Sequence, residues 1–317
     1  MLLRPSFDIE IAGRKVRLGE RTLVMGVVNV TPDSFSDGGR YFEPERAIAH
    51  GIELSRQGAD WIDVGGESSR PGSKPISTEE ELARVLPAIR GLRRRLHEVP
   101  ISIDTTKADV AREAVAAGVT IINDVSGLRF DPSLAEVAHQ ARTPLVLMHL
   151  RGRPESMQQA PFARSVWRSV LTGLQASVRR AVERGVRREQ LLIDPGLGFG
   201  KTRRQNFELL AALARLQQLR LPVLVGSSRK SFVQAVAAGE GLGPAPRPKH
   251  PQTPWRLLSA RNRAAPEAPP ALVAADAGAV VAAILGGAHV VRVHDVGALL
   301  PAIRIADALL DAGSGSR

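Results

Sequence analysis

Four polar residues, Asp104, Asn123, Asp194 and Lys230, each follow a short apolar run, and as a set they suit a flat heterocycle. A carboxylate can accept two hydrogen bonds, from an amino group and from the ring N–H beside it. An asparagine offers a donor and an acceptor, and a lysine donates to a ring carbonyl or nitrogen. Taken singly, Asp104 before Thr-Thr-Lys107 reads equally well as a helix N-cap. The functional reading rests on the recurrence: short strand, then a polar residue at its exit.

A second set suits an anion. It comprises Asn29, Ser69, Arg70, Arg292 and His294, with Gly38, Gly39, Gly65 and Gly66 allowing close backbone approach. Arginine binds phosphate oxygens in bidentate fashion. Arg292 and His294 are two apart and share one strand face, leaving Val291 and Val293 for the other. Asp104, Lys230, Arg292 and His294 are the candidate catalytic groups. Asn29 ends the apolar run that opens at Met25 and passes into Val-Thr-Pro-Asp-Ser-Phe-Ser-Asp-Gly-Gly39. A magnesium ion held partly by phosphate needs only one or two protein oxygens, and Asn29 can supply one.

Two motifs mislead. Asp194-Pro-Gly-Leu-Gly-Phe-Gly-Lys-Thr202 ends like a P-loop, but proline occupies position 195, where that motif needs its first glycine. It reads instead as a glycine-rich strand exit hugging a ligand, with Phe199 offering an edge or face. The seven histidines form no close ligand pair, which argues against a structural zinc site. Ser227-Ser-Arg-Lys-Ser-Phe232 opens a helix. Its backbone N–H groups suit an anion or carboxylate, and Ser227 or Ser228 suits simple capping.

The elements that must carry these groups alternate. Apolar strands are expected near 23–29, 60–65, 100–104, 120–123, 144–148, 191–194, 221–226 and 289–294. Helical patterns are expected at 43–57, 78–96, 107–117, 132–141, 161–184, 204–216, 229–238, 272–286 and 297–311. Continuous apolar runs such as Leu145-Val-Leu-Met148 suit parallel strands covered on both faces. Eight such units predict a (β/α)8 barrel whose strand exits converge on one site, with a doubly wound open sheet as the second reading. Residues 7–18 predict a short N-terminal hairpin around Ala12-Gly13. Residues 239–271, rich in proline and arginine, predict an inserted loop rather than a regular helix.

Composition bounds the classes. The chain has 317 residues, 44% hydrophobic and 24% charged. One α/β barrel takes roughly 250 residues, so a single domain with decoration is expected across 1–317. There is no cysteine, which excludes disulfides and thiolate metal sites. No apolar run approaches the roughly 20 residues of a membrane span, and Met1-Leu-Leu-Arg-Pro5 is too short for a secretory signal, so a cytoplasmic enzyme is expected. The net charge of +11 reads mainly as a solvated basic surface. Aromatics are only 4%, too few for base stacking, so neither nucleic acid nor membrane is the expected partner.

Together, Asn29-Val-Thr-Pro-Asp-Ser-Phe-Ser-Asp-Gly-Gly39, Asp63-Val-Gly-Gly-Glu-Ser-Ser-Arg-Pro-Gly72, Asp104-Thr-Thr-Lys107, Ile122-Asn-Asp-Val125, Leu147-Met-His149, Asp194-Pro-Gly-Leu-Gly-Phe-Gly-Lys201, Ser228-Arg-Lys-Ser231 and Arg292-Val-His-Asp-Val296 closely resemble the dihydropteroate synthase family. The resemblance runs from about residue 20 to 312, apart from 239–271. It implies a TIM barrel that joins 6-hydroxymethyl-7,8-dihydropterin diphosphate to 4-aminobenzoate through an SN1-like state, in folate biosynthesis. Carried over by position, it implies that Asp104, Asn123, Asp194 and Lys230 bind the pterin, with Met148 and Phe199 lining its pocket. Asn29, Ser69, Arg70, Arg292 and His294 would hold the diphosphate, with Mg2+ near Asn29. Phe35, Pro71 and Ser231 would border the aminobenzoate. The resemblance also implies a homodimer. Two features depart from the family: Ser69 stands where threonine is usual, and the region near Leu272-Val-Ala-Ala-Asp276 lacks the usual Arg-x-x-Gly-Thr/Ser stretch. The competing readings are a pterin-binding methyltransferase domain, which would not need the diphosphate loops, and a non-catalytic paralogue that binds the pterin diphosphate without coupling it.

Overall fold

A computed structural model describes residues 4–31, 43–69, 72–158, 164–243 and 269–314. Phe35, Arg70 and Pro71, and most of the expected insertion, lie outside the described residues.

The chain opens with the expected hairpin. Strand β1, Phe7–Ile11, pairs antiparallel with β2, Arg14–Leu18. Ala12 and Gly13 between them both adopt positive φ, the two-residue turn that matches strand twist. Eight parallel strands follow: β3 Leu23–Asn29, β4 Trp61–Gly65, β5 Ile101–Asp104, β6 Ile121–Asp124, β7 Leu145–Met148, β8 Leu191–Asp194, β9 Leu224–Val225 and β10 Val290–Val293. Their order in the sheet is β8-β7-β6-β5-β4-β3-β10-β9. The ends meet where the Ile193 N–H donates to the Pro222 carbonyl at 3.0 Å and Ile193 bridges to Val223. The sheet is therefore a barrel, not an open doubly wound sheet. The expected seventh strand, 221–226, is regular only over two residues, because its start is used in that closure.

Helices cover the outside: α1 Glu43–Arg56, α2 Thr78–Arg95, α3 Ala108–Ala116, α4 Leu134–Ala141, α5 Val166–Glu183, α6 Arg203–Ala211, α7 Ser231–Ala237, α8 Pro270–Leu285 and α9 Val296–Ser314. The expected helix over 204–216 is broken. After α6 the chain continues as a 3-10 segment, Leu213–Leu219, closed by Arg220 in a left-handed conformation. Helix α8 begins at Pro270, two residues before expectation, with proline at a position that has no intrahelical N–H to lose.

Two apolar layers result. Val64, Ile103, Leu147, Ile193, Val291 and Val293 pack outward against the helices. Inside, residues near the strand starts, among them Leu23, Met25, Trp61, Ile121, Val146, Leu192, Leu224 and Val290, fill the barrel with Ile9, Ile11 and Leu18 of the hairpin. The hairpin thus plugs the N-terminal end, and chemistry is left to the other rim.

Candidate active site

Parallel register aligns the strand ends. Asn29 lies opposite Gly65, Gly65 opposite Asp104, and Asp104 opposite Asn123. On the far side, Met148 lies opposite Asp194. A residue with no side chain at position 65 leaves the space between Asn29 and Asp104 open: a Cβ there would sit 3.5 Å from Asp104 Cβ and 3.8 Å from Asn29 Oδ1.

The centre of the mouth is an ionic cluster. Arg292 Nε donates to Asp63 Oδ2 at 2.6 Å, and Arg292 Nη2 donates to Asp104 Oδ2 at 2.9 Å. Asn123 Nδ2 donates to the same Asp63 oxygen at 3.1 Å. Asp63 is fully buried, and its Oδ1 has no hydrogen-bond partner among the described residues. Burial pushes the Asp104 carboxyl up to about 7, with the Arg292 charge pulling it down and Asp63 adding to the rise. Burial likewise raises Asp194 to about 6, opposed by the Gly196 N–H and by Lys230.

The glycine-rich exit of β8 forms one wall. Gly196, Gly198 and Gly200 all adopt positive φ. A Cβ at Gly196 would meet the His149 carbonyl at 2.1 Å, and one at Gly200 the Arg151 carbonyl at 2.2 Å. Only glycine permits that approach. Lys201 turns inward, not toward a phosphate. Its buried Nζ donates to the carbonyls of Gly196 at 2.7 Å, Phe199 at 3.0 Å and His149 at 3.1 Å. Three acceptors match the three N–H groups of an ammonium. The loop so fixed presents Phe199, over whose ring Lys230 Nζ sits at 4.1 Å. Phe199 packs with Met148, Val125, Leu150 and Met157 in a small apolar cluster at the mouth.

Lys230 is aimed by its neighbours. Arg229, at φ 56°, forms a two-point ion pair with Asp295 at 2.9 and 2.5 Å. Asp276 of α8 accepts from the Arg229 N–H at 2.8 Å and from Ser228 Oγ at 3.1 Å. Neither Ser227 nor Ser228 caps α7, whose N-cap is Lys230 without a side-chain bond. The Arg229 N–H, expected to face an anion or carboxylate, is taken up by Asp276. Asp104 does not cap α3 either; Asp131 accepts from the Ala108 N–H there at 2.7 Å.

Of the sequence-derived residues, the structure brings Asp104, Asn123 and Arg292 together around Asp63 and sets Lys230 over Phe199. Arg292, grouped with the anion residues, reaches the carboxylates of the heterocycle set. His294 lies just past β10, half-buried, with Nδ1 3.4 Å from Ser228 Oγ. Ser69 is half-buried in the loop after β4, and Ser231 is exposed at the start of α7. Gly72, on the far side of Arg70 and Pro71, is tied across to the chain beyond β7: its N–H donates to the carbonyl of Pro154 at 2.9 Å. Asp63, the hub of the cluster, belongs to neither of the two sequence-derived sets, although it opens one of the family-like motifs. The signal was there, since a carboxylate inside Trp61-Ile-Asp-Val-Gly65 must find a partner when buried. Lys201 and Asp276 had no such signal.

Among the described residues no group of three or more His, Cys, Asp or Glu could hold a metal ion. The described residues therefore offer no all-protein cage. One amide oxygen, Asn29 Oδ1 at the end of β3, does fit an ion that keeps phosphate and water as its other ligands.

A barrel with carboxylates, an asparagine and cations gathered at one mouth is the frame of a pterin-binding enzyme, and the family model described as "Pterin binding enzyme" matches residues 25–294. The dihydropteroate synthase of Synechocystis sp. is 42% identical over 92% of this chain and 91% of its own length. The solved Xanthomonas albilineans dihydropteroate synthase with 4-aminobenzoic acid is 40% identical, covers 96% of this chain and 98% of its own, and superposes with a TM-score of 0.79. The same enzyme in complex with 7,8-dihydropteroate gives 36% identity, 95% and 98% coverage, and a TM-score of 0.75. The chain belongs to the dihydropteroate synthase family. Among the described residues no helix is long and apolar enough to cross a membrane.

Proposed function

We infer that the barrel mouth condenses 6-hydroxymethyl-7,8-dihydropterin diphosphate with 4-aminobenzoate, giving 7,8-dihydropteroate and diphosphate. The observation that carries this reading is the Asp63–Arg292–Asp104 cluster with Asn123 at the strand exits of a family barrel. The unpartnered Asp63 Oδ1 and the raised Asp104 suit the N–H groups of a pterin ring.

The C–O bond to the diphosphate breaks, the methylene carbon becomes cationic, and the aminobenzoate nitrogen bonds to it and releases a proton. Asp104 and Asp194 hold the ring and stabilise the positive charge. Asn123 orients it, and Lys230 donates to it. Met148 and Phe199 give it an apolar slot. Arg292, His294, Asn29, Ser69 and Arg70 hold the leaving diphosphate. Preorganised donors of this kind are worth roughly 3–4 kcal/mol each. Phe35, Pro71 and Ser231 border the aminobenzoate. Mg2+ carried in with the diphosphate and held at Asn29 would neutralise leaving-group charge.

The protein acts as a single pterin-binding domain in the cytoplasm and as a homodimer. The only charged residue of α8, Asp276, is buried, while Ala271, Ala274 and Gly278 are exposed. On the adjacent α9, Ile305 and Leu309 are 63% and 49% exposed, one helical turn apart. Such apolar faces suit a second copy.

Purified protein, the two substrates and Mg2+ test the reaction, with diphosphate and dihydropteroate measured together. Equal formation of both is expected. Binding of the pterin diphosphate without product would favour a non-catalytic binder instead.

A further inference from the structure

The described residues just after β4, 66–69, are heavily tied. Arg84 Nη1 of α2 donates to the Gly66 carbonyl at 2.9 Å, and Ser73 Oγ donates to the Ser68 carbonyl at 2.5 Å. Beneath these residues lies an ion triad. Lys107 Nζ donates to Glu67 and, at 2.5 Å, to Glu81 Oε2. Each partner comes from a different element. Glu67 opens the loop two residues before Ser69. Glu81 lies in the first turn of α2. Lys107 follows Asp104 by three residues, in the turn between β5 and α3.

Glu81 is fully buried, and its Oε1 has no hydrogen-bond partner among the described residues. Burial pushes its carboxyl up, with the Lys107 hydrogen bond opposing. Gly66 packs directly on this site: a Cβ there would meet Val85 at 2.6 Å and the Glu81 side chain at 3.2 Å. A buried carboxylate under a glycine is stable only while its cation is present. One ammonium thus joins the start of the loop after β4, helix α2 and the turn that follows Asp104. Lys107 was noted in the sequence only as the end of Asp-Thr-Thr-Lys107, with no role.

We propose that Lys107 is a positioning residue for the anionic half of the substrate: by gripping Glu67 and Glu81 it seats the loop that presents Ser69 to the diphosphate. The proposal rests on the reaction inferred above. Lys107 acts through the loop, not by touching substrate, so its loss weakens contacts to the diphosphate and spares those to the ring.

The test compares two ligands on the full chain by equilibrium binding: 6-hydroxymethyl-7,8-dihydropterin diphosphate and the same pterin without diphosphate. Lys107→Met is expected to weaken the diphosphate form by about tenfold, the scale of a modestly misplaced contact, with the diphosphate-free form unchanged. Lys107→Arg should restore most of the loss. Glu67→Ala, at a partly exposed position, should weaken the diphosphate form in the same selective way, and it carries the test if Lys107→Met does not fold. Equal losses for both ligands, or Glu67→Ala binding the diphosphate form as well as or better than wild type, would overturn the proposal. Wild-type protein that binds neither ligand would instead overturn the reaction on which it rests.

Discussion

Arg292 Nε lies 2.6 Å from Asp63 Oδ2, deep in the barrel mouth, while the far end of the same guanidinium reaches Asp104. The side chain expected to hold the leaving group is therefore also the counter-ion of the ring-binding carboxylates. One rigid fork can meet both because Asp63 sits two residues below the strand end, with Asp104 level with the rim. In the proposed reaction, charge developing on the two halves of the substrate would be met by one connected network.

Arg292→Ala should lower turnover by about 10²–10³-fold in a folded protein, as expected for loss of a preorganised donor to developing charge. Arg292→Lys should recover only part, since a lysine has one nitrogen where the guanidinium sets two, Nε and Nη2, in a fixed planar fork. Steady-state kinetics with a circular dichroism check of folding decide it. Near-normal turnover of the alanine variant would remove Arg292 from the mechanism.

The pH profile should carry the mark of Asp104. Its carboxyl is raised to about 7, so the ionised form predominates only above that value. If the carboxylate is what stabilises the cation, kcat/KM for the pterin diphosphate falls as pH drops through about 7. Asp104→Asn should be slow at every pH and lack this limb. A wild-type profile flat from pH 6 to 8 would contradict the assignment.

Lys201→Met removes one buried donor from three carbonyls. Stability should fall by about 3 kcal/mol, from the cost of unpaired buried acceptors. The denaturant midpoint measures this, and a shift equivalent to less than about 0.5 kcal/mol, the size of an ordinary surface change, would show that the lysine is not a staple. Pterin affinity should fall with it, because the loop it fixes carries Phe199.

Gly278→Glu should convert a dimer to monomers without unfolding the protomer. A Cβ at Gly278 meets nothing within 4 Å, so the protomer has room for the side chain. Replacing glycine inside α8 also favours the helix. Light scattering on a sizing column gives the answer. An unchanged mass would place any dimer interface elsewhere.

Much of this was legible along the chain, because the relevant signals are local. Apolar runs that end in Asn29, Asp104, Asn123 and Asp194 need no tertiary knowledge to be read as strand exits. A repeated strand–helix rhythm restricts the outcome to a barrel or an open sheet. What neighbours do to each other was not local. The choice of a closed barrel depended on Ile193 finding Pro222 and Val223. Asp63 became the hub of the site only when β10 brought Arg292 beside it, from 229 positions away along the chain. Asp276, in a helix otherwise free of charge, acquired its role from a turn 47 residues earlier. Lys201 resembled a phosphate-binding lysine until three left-handed glycines folded its loop back onto the chain just past β7, where the carbonyls of His149, Gly196 and Phe199 meet its ammonium. Residue types and their periodicity determine which elements form and which side chains are too costly to bury alone. Only the tertiary structure decides which partner makes each burial affordable, because ion pairs and hydrogen bonds depend on distance in space and not on separation in sequence.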